Sequence, residues 1–270
     1  MINDLKDKTS PVENLSREEL TDVIDLALWA GQLLLQYGAT SRRVEETVHQ
    51  IGTALGCDWL DVLVSYNAIT VSSNSGGDFR TKIRRVVNRG VNMTIVSAIY
   101  RLRDKILNHK LNRTQVRQEL DRISHKQPIY NRWLIVIMIG LACAAFSRLF
   151  GGDWIAFGIT FTAASIAMFT RQVLQKHYFN PLLITLATAF IATIITGLSI
   201  RLNLGTQPEI ALAASVLLLI PGVPLVNSVI DVVRGYVVIG MARGIAGALI
   251  TFAIALGMLL AMQLLGVSGL

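Results

Sequence analysis

Within residues 217–237, LLLIPGVPLVNSVIDVVRGYV, two prolines, an amide, a carboxylate and a guanidinium interrupt an apolar run. At 100° per residue, Asn227, Asp231 and Arg234 fall within about 60° of one helix face, and Asp231 and Arg234 stand at i, i+3, close enough to pair. An unpaired Asp at the centre of a membrane helix costs about 2.5–3.5 kcal/mol, a cost rarely carried without purpose. Pro221 and Gly222 break the helix just before these residues. The break leaves N–H groups around 223–227 at the positive end of a helix dipole. Such a half-helix can hold a carboxylate. The contacts would be the backbone at Pro221–Gly222 and Asn227. Asp231 would be a proton-coupling or gating group, and Arg234 its partner or a second anion contact. The competing reading is a segment lying at the membrane interface with its polar face wet.

The elements around this stretch are those of a membrane domain. The chain is 52% hydrophobic and 16% charged, with a mean hydropathy of +0.51, whereas soluble domains carry about 25% charged residues. The charge is unevenly spread: residues 1–131 hold 18 of the 25 Lys/Arg and 15 of the 18 Asp/Glu. Apolar segments at 132–150, 154–170, 181–200 and 244–265 are each near the length that crosses ~30 Å of hydrocarbon. From Glu209 only 12 residues precede Pro221, about 18 Å of helix, too short to span. A fifth, discontinuous crossing at 209–240 is therefore expected, and broken helices need cover for their freed backbone groups. With residues 1–131 inside, Arg132, Arg171, Lys176, Arg234 and Arg243 gather on the cytoplasmic side and only Arg148 and Arg201 outside, as the positive-inside rule prefers. The C-terminus is then outside.

Thr185, Thr188 and Thr196 share one side of the third segment and could line a polar path, although such hydroxyls also bond back to their own backbone. Gly240, Gly244 and Ala248 form a small-residue packing face.

Residues 16–131 are expected to be an α+β cytoplasmic domain, with 1–15 disordered. Ser16 and Glu19 form a capping box for a helix that Gly38 closes. Ser41 can cap a second helix that stops at Gly56. The β-branched runs in 58–87, broken at 65–67 and 74–78, predict a three-stranded antiparallel meander, and helices follow at 93–107 and 114–124. Of the dense basic run Arg80, Lys82, Arg84, Arg85 and Arg89, the residues Arg80, Lys82 and Arg84 share a strand face, either solvated or in contact with anions and lipid headgroups.

No catalytic, nucleotide-binding or metal-binding motif is present, and Asp58 and Asp61 point to opposite faces of a strand edge. Cys57, Cys143 and the four scattered histidines suggest no disulfide and no metal. The N-terminus lacks the apolar stretch of a signal peptide. The +7 charge is interspersed, which suits a face near anionic lipid better than nucleic acid.

The segment PGVPLVNSVIDVVRG, followed by GMARG, resembles the bacterial threonine/serine exporter family. GATSRRVEETVHQIGTALG, SYNAITVSS and NRGVNM resemble the same family's soluble part. The likeness covers about residues 20–265. It implies functional weight for Pro221, Gly222, Asn227 and Asp231, and for Gly38, Ala39, Arg43 and Glu45 without an assignable role. Full-length exporters carry a second, smaller hydrophobic half, so the chain resembles the split type, an oligomeric inner-membrane subunit beside a small four-helix membrane protein. The resemblance implies export of succinate-type dicarboxylates, or of threonine and serine, with no enzymatic activity and no cofactor. A regulatory subunit that does not conduct is the alternative, and a membrane-embedded hydrolase ranks last.

Overall fold

Helix α1, Arg17–Gln36, begins at the expected capping box: Ser16 Oγ accepts from the Glu19 N–H at 3.3 Å, and the Glu19 carboxylate accepts from the Ser16 N–H at 3.0 Å. The computed structural model describes residues 15–75, 78–87, 90–125, 130–202, 204–205 and 207–266. The disordered start expected at 1–15 (all but Leu15), Arg89 of the basic run, and residues 267–270 of the tail expected outside lie outside the described residues. The chain divides into two compact units, 1–127 with 223–244, and 128–222 with 245–270.

In the first unit, α1 is the central element. Leu20, Val23, Ile24, Leu26, Ala27, Leu28 and Leu34 are all buried along it, on more than one side, because helices and a sheet pack around it. Helix α2, Ser41–Ala54, crosses close by: a β-carbon at Gly31 would lie 2.4 Å from Val48 Cγ2. The meander forms as expected, with β1 Trp59–Val64, β2 Ala68–Ser75 and β3 Asp78–Arg85 in the order β1-β2-β3. Val62 pairs with Val71 and Ser72 with Thr81 in its antiparallel register. Leu60, Val64, Ile69 and Val71 enter the core. Lys82 of the basic strand reaches Asp25 of α1 at 2.6 Å. Helices α3, Met93–Leu107, and α4, Arg113–Ser124, complete this part, capped by Asn92 and by an Asn112–Gln115 box. They bury Ile99, Ile106, Val116 and Leu120 against the same core.

The second unit is helical. It contains α5 Arg132–Leu149, α6 Trp154–Lys176, α7 Pro181–Arg201, the short α8 Pro208–Ser215 and a 3-10 turn at Leu217–Leu219. Its buried positions are small: Ala156, Ala163, Ala164 and Ala167 on α6, and Thr188, Ala189, Ala192 and Thr196 on α7. Small side chains let backbones approach where water exclusion gives no driving force. Helix α6 runs past the expected end at 170 to Lys176, with Gln172 donating to the Arg132 carbonyl at 3.2 Å. Loss of hydrophobicity ends a crossing, not the helix itself.

The chain then breaks at Ile220–Pro221. Helix α9, Gly222–Val233, and α10, Val237–Leu265, follow. The second half of the crossing expected at 209–240 thus ends earlier, at Val233, and α10 starts well before 244. The cause is Gly235, at φ 89°, which takes the left-handed conformation that closes a helix. Gly257 of α10 approaches α7 so closely that a β-carbon would lie 2.5 Å from the Leu186 carbonyl oxygen. Among the described residues four helices (α5, α6, α7 and α10) are long and apolar enough to cross a membrane, or five spans if α8 and α9 with their break count as one.

The Arg113 guanidinium at 2.5 Å, followed by the Ser16 N–H, holds the Glu19 carboxylate down at about 2, below its ordinary 4.5. A depressed carboxylate stabilises the fold above its unfolded pKa and loses that contribution as pH falls through the folded value. The stability difference between wild type and Glu19→Gln should therefore be full above about pH 5 and close between 4.5 and about 2. Denaturant melts across that range check this, and a gap independent of pH would contradict it.

Candidate functional site

Two helix ends in the first unit meet in a single polar cluster. Helix α1 closes through Gly38, at φ 97°, with the Ala39 N–H returning to the Leu34 carbonyl at 3.0 Å. Two residues later α2 begins. Its N-cap is Thr40, not the expected Ser41, and the Thr40 side chain makes no capping bond. The first turn holds Arg42 and Arg43 and no acid, so nothing local offsets the positive end of the helix dipole.

Asp231 of α9 supplies the missing acceptor. Its Oδ1 accepts from the Ser41 N–H at 3.0 Å, and its Oδ2 accepts from the Ser41 hydroxyl at 2.9 Å. The Arg243 guanidinium of α10 lies 3.1 Å from the same Oδ2 and donates to the Ala39 carbonyl at 3.1 Å. Asn227, one turn before Asp231, donates its amide to the Gly38 carbonyl at 2.8 Å. Asp231 is 0% exposed and Arg243 8%. Hydrogen bonds to charged groups contribute about 1.5–3 kcal/mol each, which offsets part of the desolvation of the buried pair.

The α9–α10 turn presents this constellation. After Val233 the Tyr236 N–H bonds the Asp231 carbonyl at 2.8 Å across Gly235, a glycine helix stop. Ser228 donates to the Gly240 carbonyl at 2.7 Å. A β-carbon at Gly240 would lie 2.8 Å from the Ser228 carbonyl oxygen, and one at Gly244 2.8 Å from Ser228 Oγ. Gly240 and Gly244 therefore admit α9 at close range. The Tyr236 hydroxyl donates to Glu45 of α2 at 2.6 Å, a second tie between α2 and this turn.

The structure thus brings together Gly38, Ala39, Glu45, Asn227 and Asp231, from two motifs nearly 190 residues apart. Asp231 does not pair with Arg234 as its spacing suggested. Arg234 follows the last residue of α9 and is exposed, and Asp231 pairs with Arg243. Pro221 and Gly222 stand at the chain break and belong with the second unit. Thr185, Thr188 and Thr196 each donate to the carbonyl four residues back. Arg43 sits over the ring of Tyr100, outside the cluster. Sequence reasoning missed the pairing roles of Arg243, Ser41 and Tyr236. A helix start bearing two arginines and no acid was the available signal, together with a lone Arg243 inside an apolar run.

Comparison with known proteins gives one consistent result. The family described as "Putative threonine/serine exporter" matches residues 25–265. The chain is 38% identical over 255 residues to the "Probable succinate transporter subunit YjjP" of Klebsiella aerogenes, covering 94% of this chain and 98% of that one. It is 37% identical over 257 residues to the protein of the same description in Escherichia coli K12, covering 94% and 99%. The "Threonine/serine exporter" of Corynebacterium glutamicum is 24% identical over 262 residues, which span 94% of this chain and 54% of that protein. No solved structure matches significantly.

Removing one member of a buried ion pair costs about 3–5 kcal/mol, so Asp231→Ala should destabilise the protein by that much. Because Asp231→Asn and Arg243→Gln each strand the other's charge, their double variant should lose less than the sum of the singles. Thermal unfolding in detergent measures the cycle, and strictly additive losses would show that the two side chains are not coupled. Gly240→Ala should cost about 1–3 kcal/mol by overpacking, because backbone rather than a movable side chain stands in the way. A variant as stable as wild type would refute the close α9–α10 approach.

Proposed function

The chain belongs to the threonine/serine exporter family, and on that premise we propose that it is a subunit of an inner-membrane exporter of small carboxylated metabolites. The observation that carries this reading is the likeness over 94% of the chain to relatives named as succinate transporter subunits. A separate small membrane protein of about four helices is the proposed partner. Support comes from the word "subunit" in those names, and from the Corynebacterium exporter being matched over only 54% of its length. Five crossings follow if α8 and α9 form one broken span. Residues 16–131 are then cytoplasmic, the C-terminus is outside, and anionic lipid faces the basic side.

Asp231 is the proposed gating or coupling group. While it is ionised, its oxygens satisfy Ser41 and Arg243, and the cluster is closed. Protonation would remove the charge that holds Arg243 and leave a guanidinium able to take a solute carboxylate, a geometry to which arginine is suited. Exchange of Asp231 for a carboxylate solute on Arg243 would couple solute movement to a proton. This gives Arg243 the anion-contact role for which Arg234 was the sequence candidate. The backbone at Pro221–Gly222 and Asn227 remain proposed solute contacts.

Counterflow of labelled succinate, threonine and serine into proteoliposomes, with and without the small partner, tests the function. Both proteins should be needed, and Asp231→Asn should lower counterflow at least tenfold at equal protein level. Undiminished counterflow in that variant would remove Asp231 from the mechanism. Pro221→Ala with Gly222→Ala should weaken solute binding by restoring a continuous helix, and wild-type binding would leave the break a purely topological role.

A further inference from the structure

A second polar constellation lies in the first unit, one turn along α2 from Ser41. Arg43, Glu46 and Thr47 of α2 and Tyr100 and Arg103 of α3 line a cleft of about 280 Å³. Arg43 and Arg103 both approach the Tyr100 ring, with guanidinium carbons 5.9 and 5.3 Å from its centroid. Arg103 is held by Asp104 at 2.7 Å, and the Glu46 carboxylate by Arg42 at 2.6 Å. Arg43 has no carboxylate within ion-pair distance among the described residues. Of the residues lining the cleft, Arg43 and Arg103 are cationic and Glu46 is anionic, which leaves a net positive charge.

The floor carries an independent sign of a missing ligand. Thr47 is 0% exposed, and its hydroxyl has no hydrogen-bond partner; the buried Tyr100 hydroxyl has none either. Buried polar groups are nearly always satisfied, and an orphan calls for an explanation. Burial pushes the Tyr100 phenol up from its ordinary value, ahead of the opposing pull of Arg43 and Arg103, so the hydroxyl keeps its proton and can donate. A guanidinium with no carboxylate partner, beside the orphaned Thr47 hydroxyl and the Tyr100 phenol, recognises an oxyanion, since planar forks match carboxylate and phosphate geometry.

We propose that the α2–α3 cleft binds the carboxylate or phosphate group of a small metabolite, with Arg43 as the charged contact and Thr47 and Tyr100 as hydroxyl donors. The volume suits a molecule of a few carbons rather than a nucleotide. Because the same helix begins at Ser41, which Asp231 holds, occupancy of the cleft bears on the helix whose start the buried ion pair secures. The assignment gives Arg43 a role separate from that of its motif neighbours Gly38, Ala39 and Glu45. It concerns binding in the first unit and stands whether or not the exporter reading holds.

The test is isothermal titration of the full chain in detergent micelles, free of any gradient, with succinate and separately with inorganic phosphate. One of the two should bind with one site per chain that depends on Arg43, apart from any at the Asp231–Arg243 cluster. Arg43→Gln should weaken that binding at least tenfold, and the near-isosteric Thr47→Val should weaken it several-fold. Arg101→Gln, an exposed arginine on α3 outside the cleft, should leave it unchanged. Arg43-dependent heat with succinate alone assigns a carboxylate ligand to the cleft, and Arg43-dependent heat with phosphate alone a phosphorylated one. Three results would overturn the proposal: no binding of either anion, equal affinity in wild type and Arg43→Gln, or an equal loss in Arg101→Gln.

Discussion

One carboxylate, that of Asp231, does for α2 what the helix cannot do for itself. The helix opens with two arginines and a threonine whose side chain does not cap, and an uncapped start leaves N–H groups and a positive partial charge unmatched. Asp231 meets that need from 190 positions away, and Arg243 neutralises the charge it brings. Around this interaction the rest of the unit is built. Gly38 turns the chain so that its own carbonyl and that of Ala39 face Asn227 and Arg243. Gly235 ends α9 directly after Asp231, and Gly240 lets α10 return close enough for Arg243 to reach.

This arrangement explains why the broken helix is not simply a membrane crossing with polar residues. Its second half carries the polar face that pairs with the loop between α1 and α2. Asn227 and Asp231 are both buried, whereas Val229, Val233 and Val238 stay exposed on the described surface. The polar residues are thus committed to protein partners, and the apolar ones are free to meet lipid or another chain. A buried ion pair is weak support for stability as such. Here it ties α9 and α10 to Ser41 and Ala39 in one arrangement.

In an exporter such a pair has a further consequence. A closed cluster that spends every Asp231 oxygen on protein donors can be opened only by a change in charge or by a competing anion. The gating role proposed for Asp231 rests on this geometry, whereas the relatives' names concern only substrates.

Much of this protein was legible in local signals. The capping box at Ser16, the glycine stop at Gly38, the meander from 59 to 85 and the helices after it follow from short-range rules, and the chain obeys them. The apolar segments and the break at Pro221 were equally readable, since hydrophobicity and proline chemistry act over a few residues. The partner of Asp231 was not. Spacing favours Arg234 at i, i+3, but Gly235 ends the helix at that point and leaves Arg234 exposed, while the turn brings in Arg243. The start of α2, with two arginines and no acid, marks a need for an acceptor, but nothing local marks Asp231 as the residue that fills it. Periodicity and caps are decided within a turn or two of chain. Which buried charge meets which helix end is decided only when distant segments share one dry interior, where every polar group must find a partner.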